Sequence, residues 1–141
     1  MGTDIHIVVE EQTSSGWVAV NTLTEGFHLE SGTLTNDLGP LAARVRNYPR
    51  FSALAAIRGD EKGRAALGFP KDSSETARTL YNRDARHYHS ASWMPMADAV
   101  QIFVETELDA IRNAMTDPAY VYFDVAADDI ERTRIVFWFD N

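Results

Sequence analysis

Two short stretches of this chain hold residue types that can move protons or grip a phosphate. The first is Asp4-Ile5-His6. Residues 4–11 alternate and are rich in β-branched side chains, so they read as a strand. Asp4 and His6 then leave the same side of that strand, about 7 Å apart along the chain. Either they form a polar strand face turned to solvent, or His6 sits in a pocket with an acid nearby to orient it or raise its pKa. The second stretch is Arg86-His87-Tyr88-His89-Ser90-Ala91-Ser92-Trp93. It stands directly before the strongest helical pattern, where Ser92 is placed to cap the helix or to sit just before the cap. A helix start offers unpaired backbone N–H groups and the positive end of the dipole, which suit a phosphate. His89, Ser90 and Ser92 would then surround an anion; the plainer reading is capping beside a surface histidine pair.

Charge adds a third constellation. The net charge is -8, but residues 44–86 hold ten Lys and Arg against five acids, while both flanking blocks are acidic. Eleven of the thirteen cations are Arg, the side chain suited to planar, two-pronged contacts with phosphate or carboxylate. The middle either pairs with the acidic ends or contains a local site for an anionic ligand. Arg46 and Arg58 are the chosen candidates, each beside the apolar and aromatic segment of this region. Duplex DNA is not expected as a partner, because phosphate-backbone affinity needs a broader positive surface. His6, His87, His89 and Asp4 are metal-ligand types, yet no His-Glu-x-x-His or repeated acidic loop occurs, and no metal or cofactor is expected. Walker-type, nucleophile-elbow and dinucleotide-binding glycine patterns are absent as well.

These residues need a scaffold, and the patterning predicts one α+β domain spanning residues 1–141. Residues 4–20 read as a β-hairpin turning at Thr13-Ser14-Ser15-Gly16. Residues 21–81 form a loop-rich middle, with short helices expected over Asn47–Arg58 and over Asp72–Tyr81, the latter capped by Ser73 or Ser74. The clearest helix runs from about Pro95 to Met115, with Met96, Val100, Phe103, Val104, Leu108, Ile111 and Met115 on one face. Strands are expected over Tyr120–Val125 and Glu131–Phe139. In the last, Ile135, Phe137 and Phe139 share one face and Arg134, Val136 and Trp138 the other. The sum is an antiparallel sheet of about four or five strands with one long helix packed on it. An apolar content of 45% suits a buried core. No apolar run reaches the roughly 20 residues a bilayer helix needs, so no membrane partner is expected. Met1–Glu10 has no basic start of a secretory signal, which makes a cytoplasmic location the expectation.

Several of these segments together resemble a widespread family of small phage and prophage proteins. The resemblance is carried by Met1-Gly2-Thr3-Asp4-Ile5-His6, by Arg46-Asn47-Tyr48-Pro49-Arg50-Phe51, by Leu54-Ala55-Ala56-Ile57-Arg58 and by Gly68-Phe69-Pro70-Lys71-Asp72-Ser73. It continues in Asp84 followed by His89-Ser90-Ala91-Ser92-Trp93, and in the closing Phe139-Asp140-Asn141. Thr3 stands where the family usually has Cys, and the loop between the Arg58 and Gly68 segments is short.

The motif pattern implies that Asp4, His6, Arg46, Arg58, His89, Ser90 and Ser92 converge, as in a metal-independent phosphodiesterase. One histidine would take a proton from a ribose 2′-hydroxyl or a water, and the other would protonate the leaving oxygen. In a phage protein within the cytoplasm of an infected bacterial host, such a site fits an antagonist of nucleotide immune signals, with a cyclic di- or oligonucleotide as substrate. The alternative is a sponge that sequesters a cyclic dinucleotide or ADP-ribose-type signal, with Trp93, Tyr48 or Trp17 stacking on a base and His87 among the ligand contacts. A further alternative is a factor that binds a host protein. A homo-oligomer is expected for either nucleotide reading, because subunit interfaces readily form deep pockets.

Overall fold

The structure, a computed structural model, describes residues 3–22, 28–30, 33–35, 48–57, 63–106, 123 and 125–140. Strand β1 (Asp4–Thr13) turns through Ser14 and Ser15 into β2 (Gly16–Thr22), and the antiparallel register closes at Thr13–Gly16. Gly16 has φ +109°, a conformation that favours glycine. The Thr13 hydroxyl donates to the Gly16 carbonyl (2.8 Å) and accepts from the Ser15 N–H, locking the expected turn. A separate small hairpin pairs β3 (His28–Glu30) with β4 (Thr33–Thr35).

The main sheet is completed by β5 (Tyr88–Pro95) and β6 (Thr133–Asp140). Its order is β2-β1-β6-β5, antiparallel throughout. Among the described residues three α-helices accompany it: α1 (Tyr48–Ala55), α2 (Glu75–Asn82) and α3 (Met96–Glu105). The chain is therefore α+β with a four-stranded antiparallel sheet, and α3 is its longest described helix.

Helices cover both faces of this sheet. On one, Ile5, Ile7, Val9, Ile135, Phe137 and Phe139 pack against Phe51 and Leu54 of α1 and Met96, Ala99 and Phe103 of α3. On the other, Val8, Val136, Trp138 and Ala91 pack against Ala77 and Leu80 of α2. This explains the composition of β6, where every residue from Thr133 to Phe139 is buried. Each large apolar side chain so placed contributes about 1.5–3 kcal/mol of transfer free energy. Buried Arg50 ties α1 to the end of α3. Its Nε–H donates to Thr106 Oγ1 and its Nη2–H to the Phe103 carbonyl, with the guanidinium 4.1 Å above the Phe103 ring. A cation bonded to these last groups complements the helix dipole.

Several expectations shift. The first helix is Tyr48–Ala55, within the expected span, and the second starts at Glu75 with Ser74 as its cap, the Ser74 hydroxyl accepting from the Ala77 N–H. Helix α3 ends at Glu105, earlier than the apolar stripe implied. Thr106 closes it, with its N–H on the Ile102 carbonyl. Leu108, Ile111 and Met115 lie outside the described residues. Phe123, inside the strand expected over residues 120–125, has helical backbone, and its ring packs edge-on against Phe103. Its apolar character served a core contact from a helix as well as it would have from a strand. No helix among the described residues is long and apolar enough to cross a membrane.

Candidate functional site

Strand register brings the two ends of the chain and its central motif together. Asp4 stands opposite Asp140, His6 opposite Trp138, Tyr88 opposite Asp140, and His89 opposite Phe139. The Asp4-Ile5-His6 start, Phe139-Asp140 near the end and the segment from His89 thus meet at one end of the sheet. Alternation then sorts their side chains between its two faces.

On the face covered by α2, the His6 ring lies nearly parallel to the Trp138 ring, with centroids 5.8 Å apart, and 5.3 Å from Tyr88. Its Nε2–H donates to Asp140 Oδ2 in a hydrogen bond. The carboxylate acts as an acceptor, which selects the tautomer whose lone pair sits on Nδ1. His6 keeps 17% of its side chain exposed and Asp140 31%, so the dyad is anchored yet reachable. Tyr81 of α2 packs 5.8 Å from Tyr88 and edge-on to Trp138 at 5.4 Å. Phe69 stacks on Tyr81 at 4.3 Å and closes the aromatic wall.

Burial, followed by the Asp140 and Asp84 carboxylates, pushes the Tyr88 phenol above its ordinary pKa of 10.0; the Trp138 N–H and the Arg83 guanidinium pull the other way. Tyr88 is therefore a neutral proton donor at neutral pH. The buried Trp138 indole N–H favours the ionised phenol but, among the described residues, reaches hydrogen-bonding geometry with no group. The arrangement offers a base steadied by a carboxylate, a protonated phenol and aromatic walls.

The expected partnership of His6 with His89 does not form. His89 projects with Phe139 to the opposite face, its ring 6.0 Å from the Phe139 ring, because it stands opposite a residue one position away from the partner of His6. Tyr48 lies on that side too, edge-on to Phe51 and accepting from the Thr3 N–H. The anion site at a helix start is also corrected. Residues 88–95 form β5, and α3 begins at Met96 behind Pro95 with no side-chain cap. Ser92 is instead buried in β5, its hydroxyl accepting from the Leu67 N–H at 3.0 Å. Ser90 sits in a bulge of β5. His87 lies before the strand, exposed and bonded through Nδ1 to Asp84 at 2.7 Å. Arg46 and Arg58 lie outside the described residues.

At the far end of the α2-covered face stands a different polar cluster. Arg134 Nε–H donates to Glu10 Oε1 at 2.7 Å, both side chains being buried, and the guanidinium reaches Asp72 at 3.1 Å. Its carbon lies 3.9 Å from the centre of the Trp17 ring and 5.5 Å from that of Trp93. Trp17 and Trp93 therefore wall an internal ion pair. Arg134 stands about 13 Å along β6 from Trp138, the residue opposite His6, while Trp93 pairs with Val136 and Trp17 with Gln12.

Asp140 and Trp138 were not singled out as site residues from the sequence. The terminal Phe-Asp-Asn motif carried a signal for Asp140, but its partner lay almost the full chain away. Among the described residues, no group of three or more His, Asp or Glu side chains is arranged to hold a metal ion. No protein-family model, curated protein or solved structure matches this chain.

Proposed function

We propose that this chain is a phage-encoded antagonist of nucleotide signalling that cleaves a phosphodiester, as in a cyclic di- or oligonucleotide, without a metal. The observation that carries the chemistry is the His6–Asp140 dyad beside the neutral Tyr88 phenol. The nucleotide class rests on the phage-family resemblance and on the aromatic wall of Trp138, Tyr81 and Tyr88. Action in the host cytoplasm and assembly as a homo-oligomer belong to the same proposal.

In this scheme His6 Nδ1 takes the proton of a ribose 2′-hydroxyl or a water. That oxygen bonds to phosphorus, and the opposite P–O bond breaks. The leaving oxygen takes the Tyr88 proton, and the proton on His6 returns to the Tyr88 oxygen through solvent. Asp140 steadies the imidazolium. Arg83 supplies positive charge on the Tyr88 side of the site. Asp4, Asp84 and Asp140 make the surroundings acidic, which favours a singly charged diester over a doubly charged monoester. His89 has no part in this scheme, since it faces the other side of the sheet.

The test is incubation with a panel of cyclic dinucleotides and ADP-ribose-type signals, with and without EDTA, followed by chromatography before and after heat denaturation. Product peaks that persist in EDTA and vanish in His6→Ala support the scheme. A ligand that disappears and returns intact on heating makes the protein a sponge. No change with any nucleotide overturns the nucleotide reading.

A further inference from the structure

A second proton-handling pair lies on β5. The register steps from His89–Phe139 to Ser92–Phe137, leaving Ser90 and Ala91 together opposite Trp138. Ser90 adopts φ +55° in this bulge, a left-handed position that favours glycine. A non-glycine residue kept in such a position marks a candidate functional group. The bulge brings the Ser90 hydroxyl to 3.0 Å from His89 Nδ1, while stacking on Phe139 orients the imidazole. Both residues are half-buried, so the pair is reachable from solvent.

We infer that Ser90 and His89 form a nucleophile–base pair that accepts an acyl group from an activated ester. This site is separate from the His6 dyad and does not rest on its chemistry. His89 Nδ1 takes the hydroxyl proton as Ser90 Oγ bonds to the carbonyl carbon. The ester C–O bond then breaks, and the leaving oxygen takes the proton from His89. Water, deprotonated by His89, attacks the acyl-serine; the C–Oγ bond breaks and the proton returns to Oγ.

The probe is p-nitrophenyl acetate, read by nitrophenolate release and by peptide mass mapping. Native protein is expected to give a burst of nitrophenolate and an acetyl group on Ser90. Ser90→Gly suits the left-handed backbone, so it should keep the native circular-dichroism spectrum and lose the burst. His89→Gln should slow acetylation by roughly 100-fold or more. The proposal is overturned if native protein shows no acetyl-Ser90, if Ser90→Gly keeps the burst, or if heat-unfolded protein acetylates Ser90 as fast as native protein does. None of these results bears on phosphodiester cleavage at His6.

Discussion

Replacing Glu10 by Gln removes the charge at the centre of the most buried polar cluster. The Glu10 side chain is fully buried, and each oxygen has a defined donor: Oε1 accepts from Arg134 Nε–H at 2.7 Å and Oε2 from the Ser74 N–H at 2.6 Å. A glutamine offers one carbonyl oxygen and one NH2, so either Arg134 or Ser74 would meet a donor where it needs an acceptor. Breaking one side of a buried ion pair costs about 3–5 kcal/mol. Asp72 still reaches Arg134 at 3.1 Å but is largely exposed, which places the expected loss near the lower bound, about 3 kcal/mol. For a chain of this size that is a fall in Tm of about 10 °C. Urea denaturation should show a lower midpoint with an unchanged slope. Because Ser74 caps α2 and α2 carries Tyr81, the same change should loosen the wall beside His6. The double replacement Glu10→Met with Arg134→Met removes both charges and should be more stable than Glu10→Gln. A loss under about 1 kcal/mol for Glu10→Gln would refute the reasoning, since that is the range of a solvent-screened pair.

Asp140→Asn should slow phosphodiester turnover by about 10²–10⁴-fold while leaving the fold intact, measured by steady-state kinetics and circular dichroism. Tyr88 should ionise above pH 10.0 in the folded protein, followed by its phenolate absorbance. Because its folded pKa is raised, its contribution to stability is present below pH 10.0 and lost as pH rises through the folded value; Tyr88→Phe should lessen that alkaline loss. Ser90→Gly should change stability by less than about 1 kcal/mol and Ser90→Val should cost at least about 2 kcal/mol, by urea denaturation, because a β-branched residue resists positive φ. Gly63→Ala should cost about 1–3 kcal/mol by the same measurement. Its new Cβ would fall 1.7 Å from the Ser52 carbonyl oxygen and 2.9 Å from Ala56 Cα, so backbone must move.

Local signals placed most of the elements. The β1–β2 hairpin follows from alternation around Thr13-Ser14-Ser15-Gly16, and α2 from a serine cap ahead of apolar Ala77 and Leu80. The alternation in β6 assigned Ile135, Phe137 and Phe139 to one face and Arg134, Val136 and Trp138 to the other, and both sets found cores. Ser92 shows where local signals mislead. A serine just before an amphipathic run fits a capping position, but the Leu67 N–H claimed its hydroxyl from a distant loop, within a strand that continues to Pro95.

The candidate site was legible as residue types and not as partnerships. Asp4 and His6 were visible as neighbours on one strand face, because a strand repeats every two residues whatever surrounds it. That His6 would bond to Asp140 and not act with His89 depended on the registers of β1 and β5 against β6. A shift of one residue in either would exchange the faces, and register is set by the packing of Phe137, Phe139 and Trp138 into two cores. Sequence alone therefore determined the α+β class, the hairpin, a serine cap for α2 at Ser73 or Ser74 and the polar residues of the first strand, since these rest on contacts within a few positions. Tertiary structure alone decided which histidine meets a carboxylate, which tryptophans enclose Arg134, and which side of the sheet each proton-handling group serves.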